Sequence, residues 1–350
     1  MAAATTVVTG NLTAVGGGNV NVSAASTVTT GDMVFRGDND GTGPGAAAGT
    51  VNITCGLNCL TITTGNLRIR FNPNGYANTA AEITAYDANL TGAGVLDAKA
   101  WVFGLGDNKI YDGTRTAIVS GLKPDISAAV PVVTGTLGAV TTPLFDTKHV
   151  GTGKLITYGS TFADPVYELF APFGTAAGTY TTRANITVRP LTVSAVTDTR
   201  VYNGTTSSVG VPTITGLQVG DAPVDTLNGP LTQAYASKNV MGTGGSTLVA
   251  TGPYTVTDGN GGNNYTVTVT TAAGTITPLA LVGSITAANK VYDGNNTATI
   301  ATRTLATLIA GDTVSYTGGT AIFSDKNVAD GKTVTGTGLS LTGADAGNYT

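Results

Sequence analysis

The sequence predicts an all-β chain, in which the end of a parallel β-helix is followed by tandem β-sandwich modules of the Ig-like type. Residues that favour helices are scarce, since Glu occurs only at Glu82 and Glu168, whereas Thr, Val and Ile are abundant. Apolar and polar residues alternate in segments such as 67–71 and 265–269, as they do in half-buried strands. The 49 glycines, together with Asn and Asp, separate such segments and indicate turns.

The first hundred residues predict short strands separated by corners. A Thr-Gly-(Asn/Asp) tripeptide begins at Thr9, Thr30 and Thr64, in steps of 21 and 34 residues. A step of about 20 residues is typical of one coil of a parallel β-helix, and the longer step contains a polar insertion at residues 36–45. Residues 90–103 are apolar enough to cap the end of such a helix. An ordinary β-sandwich is the alternative interpretation.

The rest of the chain repeats a Tyr-(Asp/Asn)-Gly motif at nearly constant spacing, with 91 and then 90 residues between successive tyrosines. A fixed period of this length predicts tandem copies of a small independent β-domain rather than one enzyme fold. The motif residues are Tyr111, Asp112 and Gly113 in the first copy, Tyr202, Asn203 and Gly204 in the second, and Tyr292, Asp293 and Gly294 in the third.

This repeat divides the chain into four predicted domains. Residues 1–98 form the β-helix end with its cap, residues 99–190 and 191–278 form two copies, and residues 279–350 form a third. The first two copies close with a similar Ile-Thr and Pro-Leu segment, which the third copy does not reach. We therefore expect a truncated third copy, with faster amide exchange than in the first two, and a chain that is a piece of a longer protein.

The motif itself has a structural interpretation. Asp-Gly and Asn-Gly favour the tight two-residue hairpin turn, because both central residues of that turn need a positive φ. A Tyr directly before the turn suits a strand end, with its ring in the core and its hydroxyl near water. The alternative is that the exposed Tyr and Asp of each turn form a ligand site.

Composition argues against several classes of protein. Charged residues make up only 11 % of the chain and the net charge is −4, whereas nucleic-acid binding needs a basic stripe. No apolar run reaches the roughly 18 residues of a membrane helix, so we predict neither a nucleic-acid partner nor a transmembrane segment. A polar surface built mainly from Thr, Asn, Ser and Gly is typical of extracellular repeat proteins.

Few residues point to site chemistry. Cys55 and Cys59 are the only cysteines, and a Gly-containing turn could bring them within disulfide distance, with two free thiols as the alternative. One histidine, His149, and two cysteines cannot form a usual zinc site. The acidic loop at residues 37–41 could ligate calcium, although a solvated polar loop is the simpler interpretation. We therefore predict no catalytic, cofactor or metal site.

The segments that surround the third motif resemble a known family. Residues 290–298, 311–314, 323–328 and 343–349 closely resemble the YDG repeats of large filamentous-haemagglutinin-like adhesins of Gram-negative bacteria. Residues 97–107 resemble the passage from the β-helix into those repeats. The resemblance implies the C-terminal segment of a two-partner secretion exoprotein, which passes through an outer-membrane barrel and is secreted or held at the bacterial surface. It implies no cofactor and no catalytic residues.

The first copy departs from the pattern of the other two. It carries Lys123-Pro124-Asp125 where they carry Gly220-Asp221 and Gly311-Asp312. It also carries His149 where they carry Asn239 and Asn327.

Three functional hypotheses follow. The leading one is a stalk and multivalent attachment surface of an adhesin, with a host-cell surface or glycans as partners. The alternative is a dedicated carbohydrate- or host-receptor-binding module, with the Tyr and Asn of the turns as contacts. An enzyme on the β-helix is the third, and the scarcity of charged residues in the first hundred residues argues against it.

Overall fold

The computed structural model describes residues 6–39, 49–73, 76, 79–123 and 136–350. The chain forms two compact units, of which the first comprises Met1–Arg189 with Gln218–Val224 and the second comprises Pro190–Leu217 with Asp225–Thr350. The described residues are almost entirely β, and their one α-helix is α1 (Thr79–Asp87). The predicted all-β class is therefore confirmed. No helix among the described residues has the length and apolarity that would let it cross a membrane.

The first unit begins with ten strands that return repeatedly to the same three sheets. They are β1 (Thr6–Thr9), β2 (Leu12–Val15), β3 (Val20–Val22), β4 (Ser26–Thr30), β5 (Met33–Arg36), β6 (Val51–Ile53), β7 (Leu60–Ile62), β8 (Asn66–Phe71), β9 (Leu90–Gly92) and β10 (Val95–Gly106).

All of these strands pair in parallel, and we call the resulting assembly the parallel stack. Its sheets have the orders β1-β4-β7-β9, β2-β5-β8-β10 and β3-β6. The register places like residues above one another, as Val28 lies beside Ile62, and Met33 beside Leu67. These four side chains are fully buried, so one continuous apolar core runs through the stack.

The Thr-Gly-(Asn/Asp) tripeptides form a ladder at one corner of the parallel stack. The Asn11 side chain accepts a hydrogen bond from the Asp32 backbone N–H (2.9 Å), and the Asp32 side chain accepts one from the Asn66 N–H (2.8 Å). Gly65 has a φ of 121°, and a Cβ there would lie 2.0 Å from the Gly31 carbonyl oxygen. Only glycine therefore allows the corner backbones to stack this closely.

The remaining strands of the first unit belong to the first motif copy. They are β11 (Lys109–Ile110), β12 (Val119–Lys123), β13 (Thr141–Phe145), β14 (Gly151–Gly159), β15 (Tyr167–Leu169) and β16 (Thr179–Thr187). Strand β10 pairs with β8 of the stack and also with β12 and β15. It runs without interruption through the predicted boundary between residues 98 and 99, so the stack and the first copy share a strand.

The strands from residue 189 onward are mostly antiparallel. They are β17 (Arg189–Ser194), β18 (Thr199–Val201), β19 (Thr213–Thr215), β20 (Thr226–Asn228), β21 (Thr232–Tyr235), β22 (Ser246–Thr251), β23 (Thr255–Thr257), β24 (Tyr265–Thr270), β25 (Ala272–Thr277), β26 (Val282–Ala287), β27 (Thr297–Ala298), β28 (Ile300–Ala306), β29 (Ser315–Phe323) and β30 (Val334–Thr342).

The first two copies build the same kind of sheet. The first has the strand order β11-β16-β14-β13 and the second has β18-β25-β22-β21. In both, the strand that ends directly before the motif is parallel to its neighbour and the other pairs are antiparallel. In the third copy β29 pairs with β27 and β30, and no described strand takes the place of β16 or β25.

Candidate functional site: the YDG turns and the junctions between copies

Each Tyr-(Asp/Asn)-Gly motif forms a turn that its own side chains close. In the first copy the Asp112 carboxylate accepts hydrogen bonds from the backbone N–H and the hydroxyl of Thr114, both at 2.9 Å. Asn203 and Asp293 accept the corresponding backbone bond at 3.1 Å. The side chain thus takes the place of a backbone carbonyl, as in an Asx turn.

The hairpin turn predicted from Asp-Gly and Asn-Gly is wrong. The motif glycines have φ values between 75° and 82°, but the preceding Asp112, Asn203 and Asp293 are not among the described residues with positive φ. The motif strands also pair with distant partners, β11 with β16 and β18 with β25, rather than with the strand that follows. The prediction assumed positive φ at both central residues of a hairpin turn. The observed Asx turn needs positive φ only at its glycine, so Asp-Gly and Asn-Gly do not require a hairpin here.

A cation two residues before each motif Tyr holds the turn closed. The Lys109 ammonium lies 2.7 Å from the Asp112 carboxylate and 2.8 Å from the Thr114 carbonyl oxygen. Arg200 and Lys290 make equivalent contacts in the other copies. Burial raises the pKa of Asp112, but hydrogen bonds from Lys109 and Thr114 outweigh it and leave that pKa below its usual value. Sequence reasoning missed these cations, although their constant spacing was visible.

The three motif tyrosines differ in exposure. Tyr111 and Tyr202 are 0 % and 1 % exposed, so their rings lie in the core. Tyr292 is 57 % exposed, although the residues around it repeat the same pattern. The difference between the copies must therefore come from what packs against each turn.

Asp312 of the third copy is buried against the second copy. Its Oδ2 accepts hydrogen bonds from the hydroxyls of Tyr202 (2.7 Å) and Tyr349 (2.6 Å), and its Oδ1 lies 2.8 Å from the Lys238 ammonium. The Asp312 side chain is only 1 % exposed. We call these four residues the Asp312 cluster. All four belong to the second unit.

The pKa shifts of the Asp312 cluster follow from this geometry. Burial raises the pKa of Asp312, but the Lys238 ammonium and the two tyrosine hydroxyls outweigh burial and hold the pKa below its usual value. Burial and the hydrogen bond to Asp312 together raise the pKa of Tyr349 to about 12. The hydrogen bond to Asp312 raises the pKa of Lys238 above its usual value. Near neutral pH the cluster therefore holds one carboxylate, one ammonium and two neutral hydroxyls.

Further contacts surround the Asp312 cluster. The Asn348 side chain accepts a hydrogen bond from the Val240 N–H (2.9 Å) and donates one to the Asn239 side chain (3.3 Å). The rings of Tyr202 and Tyr349 meet edge to face at 5.4 Å. A Cβ on Gly204 would lie 2.7 Å from the Ile309 side chain. Gly204 thus adopts the positive φ that the turn needs, and its lack of a Cβ leaves space for Ile309 of the third copy.

The first copy makes a similar junction with the segment Gln218–Val224, which belongs to the first unit. The Lys148 ammonium donates to the carbonyl oxygens of Asp221 (2.6 Å) and Pro223 (2.8 Å). The Asp221 N–H donates to the Gly113 carbonyl (2.8 Å), and the Asp221 carboxylate accepts from the Arg115 N–H (3.0 Å).

Gly220-Asp221 and Gly311-Asp312 lie at equivalent positions of the second and third copies, and we call each of them a Gly-Asp loop. At both junctions this loop meets the turn of the preceding copy. Lys148 and Lys238 occupy the same place in their copies, and each contacts the following Gly-Asp loop. The two junctions differ in the acceptor, since Lys238 meets the carboxylate and Lys148 meets backbone carbonyls. Sequence reasoning aligned these residues but did not predict that they meet.

A groove lies beside the exposed turn of the third copy. Its lining combines aromatic, aliphatic and charged side chains, of which Phe323 is half-buried and the others are exposed, namely Lys290, Tyr292, Phe323, Asp325, Lys326 and Val328. The Lys290 ammonium lies 5.9 Å from the centre of the Phe323 ring. Apolar faces beside charged groups suit either a protein loop or a carbohydrate.

The cysteine and metal predictions have the following outcomes. Cys55 and Cys59 are joined by a disulfide, with their Cα atoms 5.8 Å apart. The described residues contain no group of three His, Cys, Asp or Glu side chains that could hold a metal ion. In the acidic loop, the Asp38 carboxylate accepts a hydrogen bond from Asn72 (2.7 Å), whereas Asp40 lies outside the described residues.

Comparison with protein families identifies the repeated segment. The sequence model of the YDG domain matches residues 187–273 and 277–350. The first motif copy, at Tyr111, lies outside both matched segments. The comparison with curated proteins gave no match. The comparison with solved structures gave none either.

Proposed function

Because the chain contains YDG domains, we propose that it is an extracellular repeat segment of a bacterial surface adhesin, acting as a stalk and multivalent attachment surface. The observation that carries this proposal is the Asp312 cluster. It joins the second and third copies through two short polar contacts, from Tyr202 and Lys238, to one buried carboxylate that Tyr349 of the third copy also contacts. Copies joined in this way cannot swing freely, and a stalk needs such fixed joints.

The finer architecture is part of the same proposal. We infer that residues 1–98 are the end of a parallel β-helix and that the motif copies are β-sandwiches of the Ig-like type. The three parallel sheets and their stacked Gly corners support the first part. The shared strand order of the first two copies supports the second.

Export and location also stay proposals. The Cys55–Cys59 disulfide is typical of an oxidising environment outside the cytoplasm. It supports secretion to the bacterial surface, and the two-partner route through an outer-membrane barrel is the route that the resemblance to filamentous-haemagglutinin-like adhesins implies. Attachment to a host-cell surface or to glycans would then depend on many weak contacts that act together through effective concentration.

One observation favours the second candidate, a dedicated carbohydrate- or receptor-binding module. Tyr292 is 57 % exposed in a groove that also holds Phe323, Lys326 and Asp325. An exposed aromatic ring beside charged groups is a common platform for sugars and peptides. This candidate places recognition in the third copy rather than along the whole chain.

An adhesion assay tests both candidates. Beads coated with residues 1–350 are applied to epithelial cells and to a glycan array, together with the variants Tyr292→Ala and Phe173→Ala. Phe173 is 54 % exposed on the first unit and serves as the matched control. Multivalent attachment predicts binding that neither variant abolishes, whereas a dedicated site predicts that Tyr292→Ala alone abolishes it. No binding by any sample would contradict the attachment role and leave a spacer.

Small-angle X-ray scattering tests the stalk itself. A compact globular chain of this length would have a radius of gyration of roughly 20 Å. A stalk predicts a clearly larger value together with an extended distance distribution. A value near that of a globular chain would contradict the stalk.

A further inference from the structure

The second copy binds the third copy through one face. The third copy has the equivalent face, and there it is exposed. In the second copy this face consists of Tyr202, Gly204, Lys238, Asn239 and Val240, all of which contact the third copy or lie against it. The corresponding residues of the third copy are Tyr292, Gly294, Lys326, Asn327 and Val328. We call this second set the open face.

Exposure distinguishes the two faces at each apolar position. Tyr202 is 1 % exposed and Tyr292 is 57 % exposed. Val240 is half-buried, whereas Val328 is 85 % exposed. A Tyr that is buried in one copy and exposed in the next, beside a Val that is half-buried in one and exposed in the next, indicates that a packing partner is present in the first case only.

The glycine and lysine positions also have a packing partner in the second copy and none in the third copy, among the residues that the structure describes. A Cβ on Gly204 would meet Ile309 at 2.7 Å, whereas a Cβ on Gly294 would meet nothing within 4 Å. The Lys238 ammonium pairs with Asp312, whereas Lys326 is exposed and forms no ion pair within the part of the chain that the structure describes. The open face thus presents a cation, an exposed ring and an unfilled space at positions that its counterpart uses for binding.

We propose that the open face binds the Gly-Asp loop of a further YDG module, by the contacts that join the second copy to the third. The carboxylate of that loop would pair with Lys326 and accept a hydrogen bond from the Tyr292 hydroxyl. The module's counterpart of Tyr349 would pack its ring against Tyr292, as Tyr349 packs against Tyr202. This assignment goes beyond the proposed function, because it holds whether or not the chain attaches to anything.

The occupant is a module with an unengaged loop rather than a second copy of this chain. The loop at Gly220-Asp221 already lies against the first copy, and the loop at Gly311-Asp312 lies against the second. The first copy carries Lys123-Pro124-Asp125 in place of a Gly-Asp loop. In a second copy of residues 1–350, the two loops that correspond to this contact, at Gly220-Asp221 and Gly311-Asp312, are therefore both already engaged.

The experiment appends such a module to the intact chain. Tyr349 corresponds to Tyr265, so residues 1–350 are followed directly by a second copy of residues 267–350, which keeps the repeat in register. In the appended copy the counterpart of Tyr292 is replaced by Phe, so that the Tyr-containing peptide of this sequence reports Tyr292 alone. Nitration of tyrosine by tetranitromethane is then measured peptide by peptide with mass spectrometry. Tyr202 serves as the internal reference, since it is buried in both chains.

The expected result is that nitration of Tyr292 slows by about tenfold or more in the extended chain, because a buried ring reacts only when the structure opens locally. The control is the same extended chain with Asn in place of the appended counterpart of Asp312, combined with Lys326→Ala. In this control we expect Tyr292 to regain most of its reactivity. Covalent tethering without docking would leave Tyr292 equally reactive in all chains.

Two results would overturn the proposal. The first is an appended copy whose amides are protected while Tyr292 reacts as fast as in residues 1–350. The second is an appended copy that stays unprotected, because a face that seats a module should order it as the second copy orders residues 279–350. Amide exchange of the appended residues distinguishes the two results.

Discussion

The parallel stack of the first unit and the Asp312 cluster of the second unit extend β-structure in different ways. In the stack, each added coil buries apolar side chains such as Met33, Leu60 and Ile62, all fully buried, beneath the next coil. At the junction between copies, the centre is one carboxylate with an ammonium and two hydroxyls. The stack thus repeats one apolar core from coil to coil, whereas the junction surrounds a single shared polar centre with the apolar contacts of Tyr202, Tyr349 and Ile309.

The parallel stack and the Asp312 cluster should therefore lose stability in different ways when a side chain is removed. A continuous apolar core loses a part of its stability at each truncated side chain, in proportion to the volume removed. A polar cluster around one buried acceptor loses several contacts together when that acceptor is removed. Four predictions test this contrast, from the largest expected effect to the smallest.

Truncation in the stack core should have the largest effect. Ile62 is fully buried on β7, between Val28 and Gly92 of the neighbouring strands. We expect Ile62→Ala to lower the free energy of unfolding by about 2–5 kcal/mol, through lost apolar burial and the cavity left behind. Urea unfolding with amide exchange of residues 6–106 measures the effect.

Val7→Ala is the matched control for this truncation, because Val7 lies on β1 and is 65 % exposed. We expect a change within about 0.5 kcal/mol for this surface position. Equal effects at the two positions would contradict a continuous core inside the stack.

Removal of the central carboxylate should be the next largest effect. Asp312→Ala leaves the Tyr202 and Tyr349 hydroxyls and the Lys238 ammonium without their shared acceptor. We expect a loss of about 2–3 kcal/mol in the free energy of unfolding. Amide exchange in residues 279–350 should rise more than in the stack. Asp330→Ala, at an exposed position of the same copy, should leave both measurements unchanged, and a similar loss there would contradict the role of the cluster.

Acid should weaken the junction through the same carboxylate. The pKa of Asp312 is lower in the folded chain than in the unfolded chain, where it is about 3.9. Its contribution to stability is therefore fully present above the unfolded pKa and is lost as pH falls through the folded pKa. The difference in Tm between the wild type and Asp312→Asn should shrink as pH falls below about 4. A difference that stays constant with pH would show that the Asp312 charge contributes nothing.

The motif turns should respond least. Asp112 and Asp293 close equivalent turns, but the Asp112 turn lies against the Gly-Asp loop of residues 220–221, and the Asp293 turn lies on the open face. We expect Asp112→Ala to lower the free energy of unfolding by less than about 1 kcal/mol, as for other surface ion pairs. The Tm shift of Asp293→Ala should be smaller still. A larger shift for Asp293→Ala would reverse the comparison of closed and open turns.

Sequence reasoning found the features that local residues determine. The Thr-Gly-(Asn/Asp) corners recur because each corner needs a glycine with positive φ and a side chain that reaches the next backbone N–H. The all-β class follows from composition, and the repeat follows from spacing. The turn type was wrong because the Asp112 side chain competes with the backbone for the Thr114 N–H.

The Asp312 cluster could not be predicted from local sequence. Tyr202 and Asp312 lie 110 residues apart, and the residues next to each of them give no signal that the two side chains meet. The exposure of Tyr292 was also hidden, since the same motif is buried wherever a Gly-Asp loop packs against it. The recurrence of Lys and Gly-Asp at constant positions was the signal that could have linked them.

Each of the two YDG-matched copies contains both halves of the junction. One half is the face with the motif Tyr, the motif Gly and the Lys, and the other half is the Gly-Asp loop; both recur after about 90 residues. Recombination between two such copies in register therefore adds or removes a whole period and creates no new kind of joint. A gene built this way can change the length of its product by unequal crossing-over while each remaining joint keeps its partner. Length becomes a property that selection can adjust in steps of about 90 residues, without any change in packing.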